Sequence, residues 1–152
     1  MIFLLYSRLV RLIDKRINQM KLASFKTNLV AAEEGTWVDV GDGFRIKLAR
    51  SGNSKAQDLL EKLLKPHRFA LQNNTIHIDV LKEINNKVLA QTVVLGWDGL
   101  IDDEGKPVPF SPSIAYDLLQ NPQYRDFRDM VQKLADEPEL FRNEAVADIG
   151  KK

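Results

Sequence analysis

Few side chains in this sequence could do acid–base, nucleophilic or metal chemistry. The 152 residues hold no Cys and two His, His67 and His77. The absence of Cys excludes disulfide frameworks, zinc knuckles, iron–sulfur clusters and thiol nucleophiles. Two His are too few for a His-rich metal centre. His67 lies between Pro66 and Arg68, the setting of an exposed loop residue. His77 opens an apolar-periodic stretch, where a solvated or partner-satisfied imidazole is expected rather than a general base. Acids crowd into Asp102-Asp103-Glu104, just before Gly105-Lys106-Pro107. Adjacent carboxylates do acid–base work only in a cleft, and this turn-rich composition places them in an exposed loop. A calcium loop fails on register. With Gly105 at its sixth position, Leu100 would stand at the first and Ser111 at the twelfth, where acids are required. Gly41-Asp42-Gly43 lacks the rest of a dinucleotide fingerprint and the Gly-Lys-Ser/Thr of a P-loop. No G-x-S-x-G elbow and no H-E-x-x-H pair occurs. The expectation is a protein that is not an enzyme, takes no cofactor or metal, and acts through partners.

The elements that position these residues read as one mainly α (α+β) domain with one N-terminal β-hairpin over about 36–50. Thr36-Trp37-Val38-Asp39-Val40 is rich in strand formers, and Phe44 to Arg50 alternates apolar and basic residues. Asp42-Gly43 suits the positive φ angles of a tight type I′ turn. Phe44, Ile46 and Leu48 are expected to face the core, with Arg45, Lys47 and Arg50 toward water. That basic row could touch a phosphate backbone. Without interleaved exposed aromatics it reads better as a solvated strand face.

Helices follow. Asn53-Ser54 caps one that carries Ala56, Leu59, Leu60, Leu63 and Leu64, and Pro66 stops it. Apolar residues from Ile76 to Leu95 predict the longest helix, ended by Gly96 and Gly99 around Trp97. Ser111-Pro112 has the N-cap and first-turn residues of the next. Asn121-Pro122 breaks that helix and starts one striped by Tyr124, Phe127, Met130, Val131 and Leu134. A last acidic helix is expected through Leu140, Phe141, Ala145 and Ile149, fraying toward Lys152.

Charge is uneven. Residues 1–75 carry 13 Lys and Arg against 7 Asp and Glu, whereas residues 76–152 carry 9 against 14. These halves could bind partners of opposite sign, attract one another within or between copies, or simply decorate two solvated faces. The net charge of +1 gives no drive toward nucleic acid or membrane. Residues 1–19 look foreign to the rest. Their apolar run, Met1 to Tyr6, is far short of the roughly 20 residues a span needs. Ile2, Leu5, Leu9 and Leu12 oppose Arg8, Arg11, Lys15 and Arg16, as in an interfacial helix. The simpler reading is an upstream-start extension, with Met20 as the natural start and residues 20–152 as the domain.

Several stretches carry a resemblance in series. They are Gln91 to Leu100 with Gly96-Trp97-Asp98-Gly99, then Asp103-Glu104-Gly105-Lys106-Pro107-Val108-Pro109-Phe110-Ser111-Pro112, then Pro122-Gln123-Tyr124-Arg125-Asp126-Phe127. Earlier, Gly35-Thr36-Trp37-Val38-Asp39-Val40-Gly41-Asp42-Gly43 and Leu63-Leu64-Lys65-Pro66 add to the series. Over roughly residues 25–150 the chain resembles the tail assembly chaperones of siphovirus-type bacteriophages and prophages. The resemblance implies a non-enzymatic role in the host bacterial cytoplasm. There the chaperone would bind the tail tube protein or tape-measure protein before polymerisation and be absent from the mature virion. It also implies a longer form made by ribosomal frameshifting, for which the codons of Gly150-Lys151-Lys152 are the candidate site. No catalytic residue carries over. Trp, Tyr and Arg are the usual interface anchors, so Trp97, Pro107, Phe110, Tyr124, Arg125 and Phe127 are the candidate partner-binding residues. Trp97, Phe110 and Phe127 also have the helical spacing of core aromatics. The alternatives are a head-completion or minor tail structural protein, or a weak nucleic-acid-binding module.

Overall fold

The computed structural model describes residues 19–142. The expectations for an N-terminal extension and for a helix through Ala145 and Ile149 fall outside them. Within them the chain is a small α+β domain. Helix α1 (Leu29–Glu34) leads into strands β1 (Thr36–Gly41) and β2 (Phe44–Leu48), followed by α2 (Ser54–Leu64), α3 (Arg68–Gln72) and α4 (Ile78–Val88). Strand β3 (Val94–Asp98), α5 (Pro112–Gln120) and α6 (Arg125–Ala135) complete it.

The hairpin forms where the alternation places it. β1 and β2 pair antiparallel, Val38 opposite Ile46 and Trp37 opposite Lys47. Asp42 and Gly43 take φ of +54° and +78°, the left-handed pair that a tight turn with the strands' own twist requires. Ile46 and Leu48 are fully buried, Phe44 is half-buried and Arg45 faces water. Two details differ from the expected solvated basic row. Arg50 turns to donate to Thr27 Oγ1 at 2.6 Å. An exposed aromatic is present after all, because Arg45 lies 4.9 Å from the centroid of the Trp37 ring, which keeps 37% of its surface.

The long helix expected through Leu95 stops early. α4 ends at Val88, and Leu89–Val93 winds into a wider π turn in which Thr92 Oγ1 donates to Val88 O at 2.6 Å. Val94 to Asp98 then runs as a third strand antiparallel to β2, giving the order β1-β2-β3. The physical reason lies in the residues. Thr92, Val93 and Val94 are β-branched and stiff at χ1 in a helix, and a strand there seats Trp97 directly opposite the buried Ile46. On the outer face Gly96 lies beside the Trp37 ring.

One layer of helix covers the sheet. α6 packs on β2, and α5 packs on β3 and the π turn. Leu48, Val93, Val94, Ala115, Leu119, Val131 and Ala135 meet there with Ile46 and Trp97 in one core. Ala115, Val131 and Ala135 have no exposed surface, and their small size lets the helices approach closely. Asn53 ties α2 to this core. Its Oδ1 accepts from Ala56 N–H at 3.0 Å as the helix cap, and its Nδ2 donates to Thr92 O at 3.0 Å. Pro66 does end α2, but the chain continues through a tight 3-10 turn at Lys65–His67 into α3, leaving His67 half-buried rather than in an open loop. Leu140 and Phe141 belong to a 3-10 turn, Pro138–Phe141, and Phe141 is fully buried. Thr27 bridges to Arg142, and Asn28 N–H donates to Phe141 O at 2.7 Å, so both described ends are tied together.

A carboxylate clasp joins α1 to the start of α2. Glu33 accepts from Ser54 Oγ at 2.6 Å and from Ser54 N–H at 3.0 Å. The hydroxyl first, then the backbone amide, favour the charged form and hold this carboxyl below the ordinary glutamate range. A folded value below the unfolded one gives stability that is present above the unfolded value and lost as pH falls through the folded one. Glu33→Gln is therefore expected to lower Tm at pH values above the ordinary glutamate range, and the difference from wild type is expected to shrink as pH falls below that range and the carboxyl of the folded protein takes up its proton.

Candidate functional site

The candidate site is built on the β3–α5 connection. Leaving β3, the chain passes Gly99 and makes a compact loop through residues 100–108. Val108 N–H donates to Leu100 O at 2.8 Å and Asp102 N–H to Lys106 O at 2.8 Å, while Ile101 bridges Pro107. Asp102 is the turn former. Its Oδ1 accepts from the amides of Glu104 and Lys106, each at 2.9 Å. Gly105 closes the turn at φ +80°.

Beneath the loop sits an aromatic cluster. The Trp97 ring meets Phe110 edge to face with centroids 4.9 Å apart, and Phe127 in the same manner at 6.2 Å. Its Nε1–H donates to Val108 O at 2.8 Å, so the one polar atom of the buried ring is satisfied and the loop is pinned to the sheet. Ser111 caps α5 by accepting from Ile114 N–H at 3.0 Å, with Pro112 in the first turn. Asn121 caps the following turn by accepting from Gln123 N–H at 3.0 Å.

Between the loop, α5 and the start of α6 lies an open groove of about 400 Å³. Leu100, Ile101, Val108, Leu118, Tyr124 and Phe127 line it, and Asp102, Asp103 and Glu104 form an acidic lip. Ile101 is 61% exposed and Tyr124 45% exposed, an apolar pair left facing water on a rigid support. Arrangements of this kind, apolar within and charged at the rim, suit docking of a polypeptide segment.

The six candidate residues divide among three places. Trp97, Phe110 and Phe127 form the supporting cluster, and of these Phe127 also reaches the groove. Tyr124 lines the groove, and Pro107 stands exposed beside Ile101 in the loop. Arg125 is not part of it; its side chain lines a separate concavity on the other side of α5. Trp97, only 8% exposed, is a support rather than a surface anchor. Ile101 and Leu118 were not among the candidate partner-binding residues; Leu118 reads only as part of the apolar side of its helix. The available signal for Ile101 was an apolar residue directly before an acidic turn, which alone does not separate an exposed anchor from a core residue.

His77 caps α4, its Nδ1 accepting from Asp79 N–H at 3.1 Å. Among the described residues no group of three or more His, Asp or Glu side chains could hold a metal ion. Among them, too, no helix is long and apolar enough to cross a membrane. No curated protein and no solved structure matches the chain. Residues 51–152, two thirds of the chain and the part that holds α2 through α6 with the groove, match the family described as YdaY prophage protein, and the chain belongs to that family of prophage proteins.

Proposed function

We propose that this prophage protein is a tail assembly chaperone without enzymatic activity. It holds tail tube or tape-measure protein in the host cytoplasm before polymerisation and leaves before the particle is finished. The observation that carries this reading is the groove, in which exposed Ile101 and Tyr124 stand over an apolar floor rimmed by three acids. Membership in a prophage family supports the viral setting, and the ordered resemblance from Gln91 to Phe127 supports the tail-chaperone role within it.

The physics of the role is simple. A tube subunit awaiting assembly presents strand edges and apolar surface that pair prematurely. A small protein that covers them lowers the free concentration of the sticky form by mass action. The acidic lip favours client segments that place Lys or Arg beside their apolar anchors, which speeds encounter and rejects acidic competitors.

Co-expression with the neighbouring tail tube and tape-measure genes tests it. A tagged wild-type chain is expected to recover one of these proteins, and the double variant Ile101→Asp/Tyr124→Ala to recover at least tenfold less, as for the loss of a hot spot worth about 2 kcal/mol. Both side chains are exposed, so the variant is expected to keep its fold. Equal recovery by the variant would remove the groove from the account.

A further inference from the structure

The concavity that takes Arg125 has a composition of its own. It lies where α4, the end of α5 and the first turn of α6 meet, with a volume of about 520 Å³. Lys82, Arg125 and Arg128 face it, within a half of the chain that otherwise carries an excess of acids.

Arg128 is held in place. Its Nε–H donates to Asn86 Oδ1 at 3.0 Å, and Asn86 Nδ2 donates to Gln120 Oε1 at 2.6 Å. Asn86 is 96% buried, so this anchor is part of the core rather than a surface contact. With Nε fixed on Asn86 and Nη1 only loosely paired with Asp129, Arg128 keeps Nη2 for another acceptor, and it loses little further freedom on binding one.

Internal partners leave these cations under-satisfied. Asp129 is shared between Arg128 Nη1 at 3.5 Å and Arg125 Nε at 3.8 Å, both longer than a good charge-assisted hydrogen bond. Asp79 also lines the concavity, yet it makes no ion pair with Lys82, Arg125 or Arg128. Lys82 has no carboxylate within ion-pair distance among the described residues.

We propose that this concavity is a carboxylate-binding site for an acidic peptide segment, with Lys82, Arg125 and Arg128 as its cations. A carboxylate can accept from Arg128 Nη2 and from the neighbouring Lys82 or Arg125 as a charge-assisted pair. The volume accommodates successive side chains of a peptide rather than a single small anion. The exposed Gln120 amide, whose Nε2 is left unused by the contact with Asn86, adds hydrogen-bond donors suited to peptide. The inference is independent of the client groove, which lies on the other side of α5 and has the opposite charge.

Titration of the full chain with an acetylated, amidated tetraglutamate peptide, followed by amide chemical shifts, tests the site. Shifts are expected at residues 82–86 and 120–128, with affinity falling as salt rises. Lys82→Gln/Arg125→Gln, two exposed positions, is expected to weaken binding at least tenfold and leave thermal unfolding unchanged. Absence of these shifts, or equal binding by the double variant, overturns the proposal. Inorganic phosphate perturbing the same amides at equal or lower concentration also overturns it, because the site would then serve a free anion and not a peptide.

Discussion

Trp97→Ala is expected to lower stability by about 3–5 kcal/mol, the cost of truncating a buried Trp. For a domain of this size that corresponds to a fall in Tm of roughly 10–15 °C. The ring is the contact point of three elements. It faces Ile46 across the sheet, packs edge to face with Phe110 and Phe127, and holds the 100–108 loop through Val108 O. Removal leaves a cavity beneath the groove and frees the loop that forms its acidic lip. Trp97→Phe separates these effects. It keeps the ring packing, loses the Nε1–H bond, and is expected to cost about 1–2 kcal/mol, with loop protection falling more than core protection. Amide hydrogen exchange at Asp102 and Val108, the loop amides that donate, reads the difference. A Trp97→Ala protein as stable as wild type would show that the cluster does not support the site.

Gly99→Ala is expected to be nearly as severe, for a backbone reason. Gly99 sits at φ +82°, and a methyl group there would run into the carbonyl oxygen of Gly43 in the hairpin turn. Backbone cannot step aside as a side-chain tip can. The combined strain and clash are expected to cost about 2–4 kcal/mol. Gly105 supplies the internal control. Its φ of +80° is almost the same, yet nothing lies within 4 Å of the position a Cβ would take. Gly105→Ala should therefore show only the conformational cost, about 1 kcal/mol. Urea unfolding of the pair isolates the close approach of loop and hairpin, and equal losses would contradict it.

The sequence was most readable where local chemistry and tertiary need agree. Asp42-Gly43 chooses its turn, Asn53, Ser111 and Asn121 choose their helix starts, and the Ile46/Leu48 alternation chooses the buried face. It misled where one apolar run serves two structures. From Ile76 to Leu95 the spacing satisfies a helix, and nothing local marks Leu89 as the start of a π turn. The β-branched Thr92, Val93 and Val94 weaken the helix, but the strand also needs an open edge of β2 far away in sequence, which periodicity does not register. The candidate site was half visible for the same reason. Aromatics announce themselves by type, so Trp97, Phe110, Tyr124 and Phe127 were in hand. Whether each supports the groove or faces it depends on how α5 separates Tyr124 from Arg125, two neighbours that line different concavities. The Asn86–Gln120–Arg128 network joins three helices and has no signature along the chain.

The central claim, that this prophage protein is a transient escort for tail components, is tested most directly by following the chain through assembly. The measurement is its stoichiometry on tail tube or tape-measure protein recovered from co-expressing cells, beside its amount in purified finished particles. The account predicts a complex with one of those proteins before polymerisation, dependent on Ile101 and Tyr124, and no copies in the particle. Recovery of neither protein, or a fixed number of copies retained in finished tails, would contradict it.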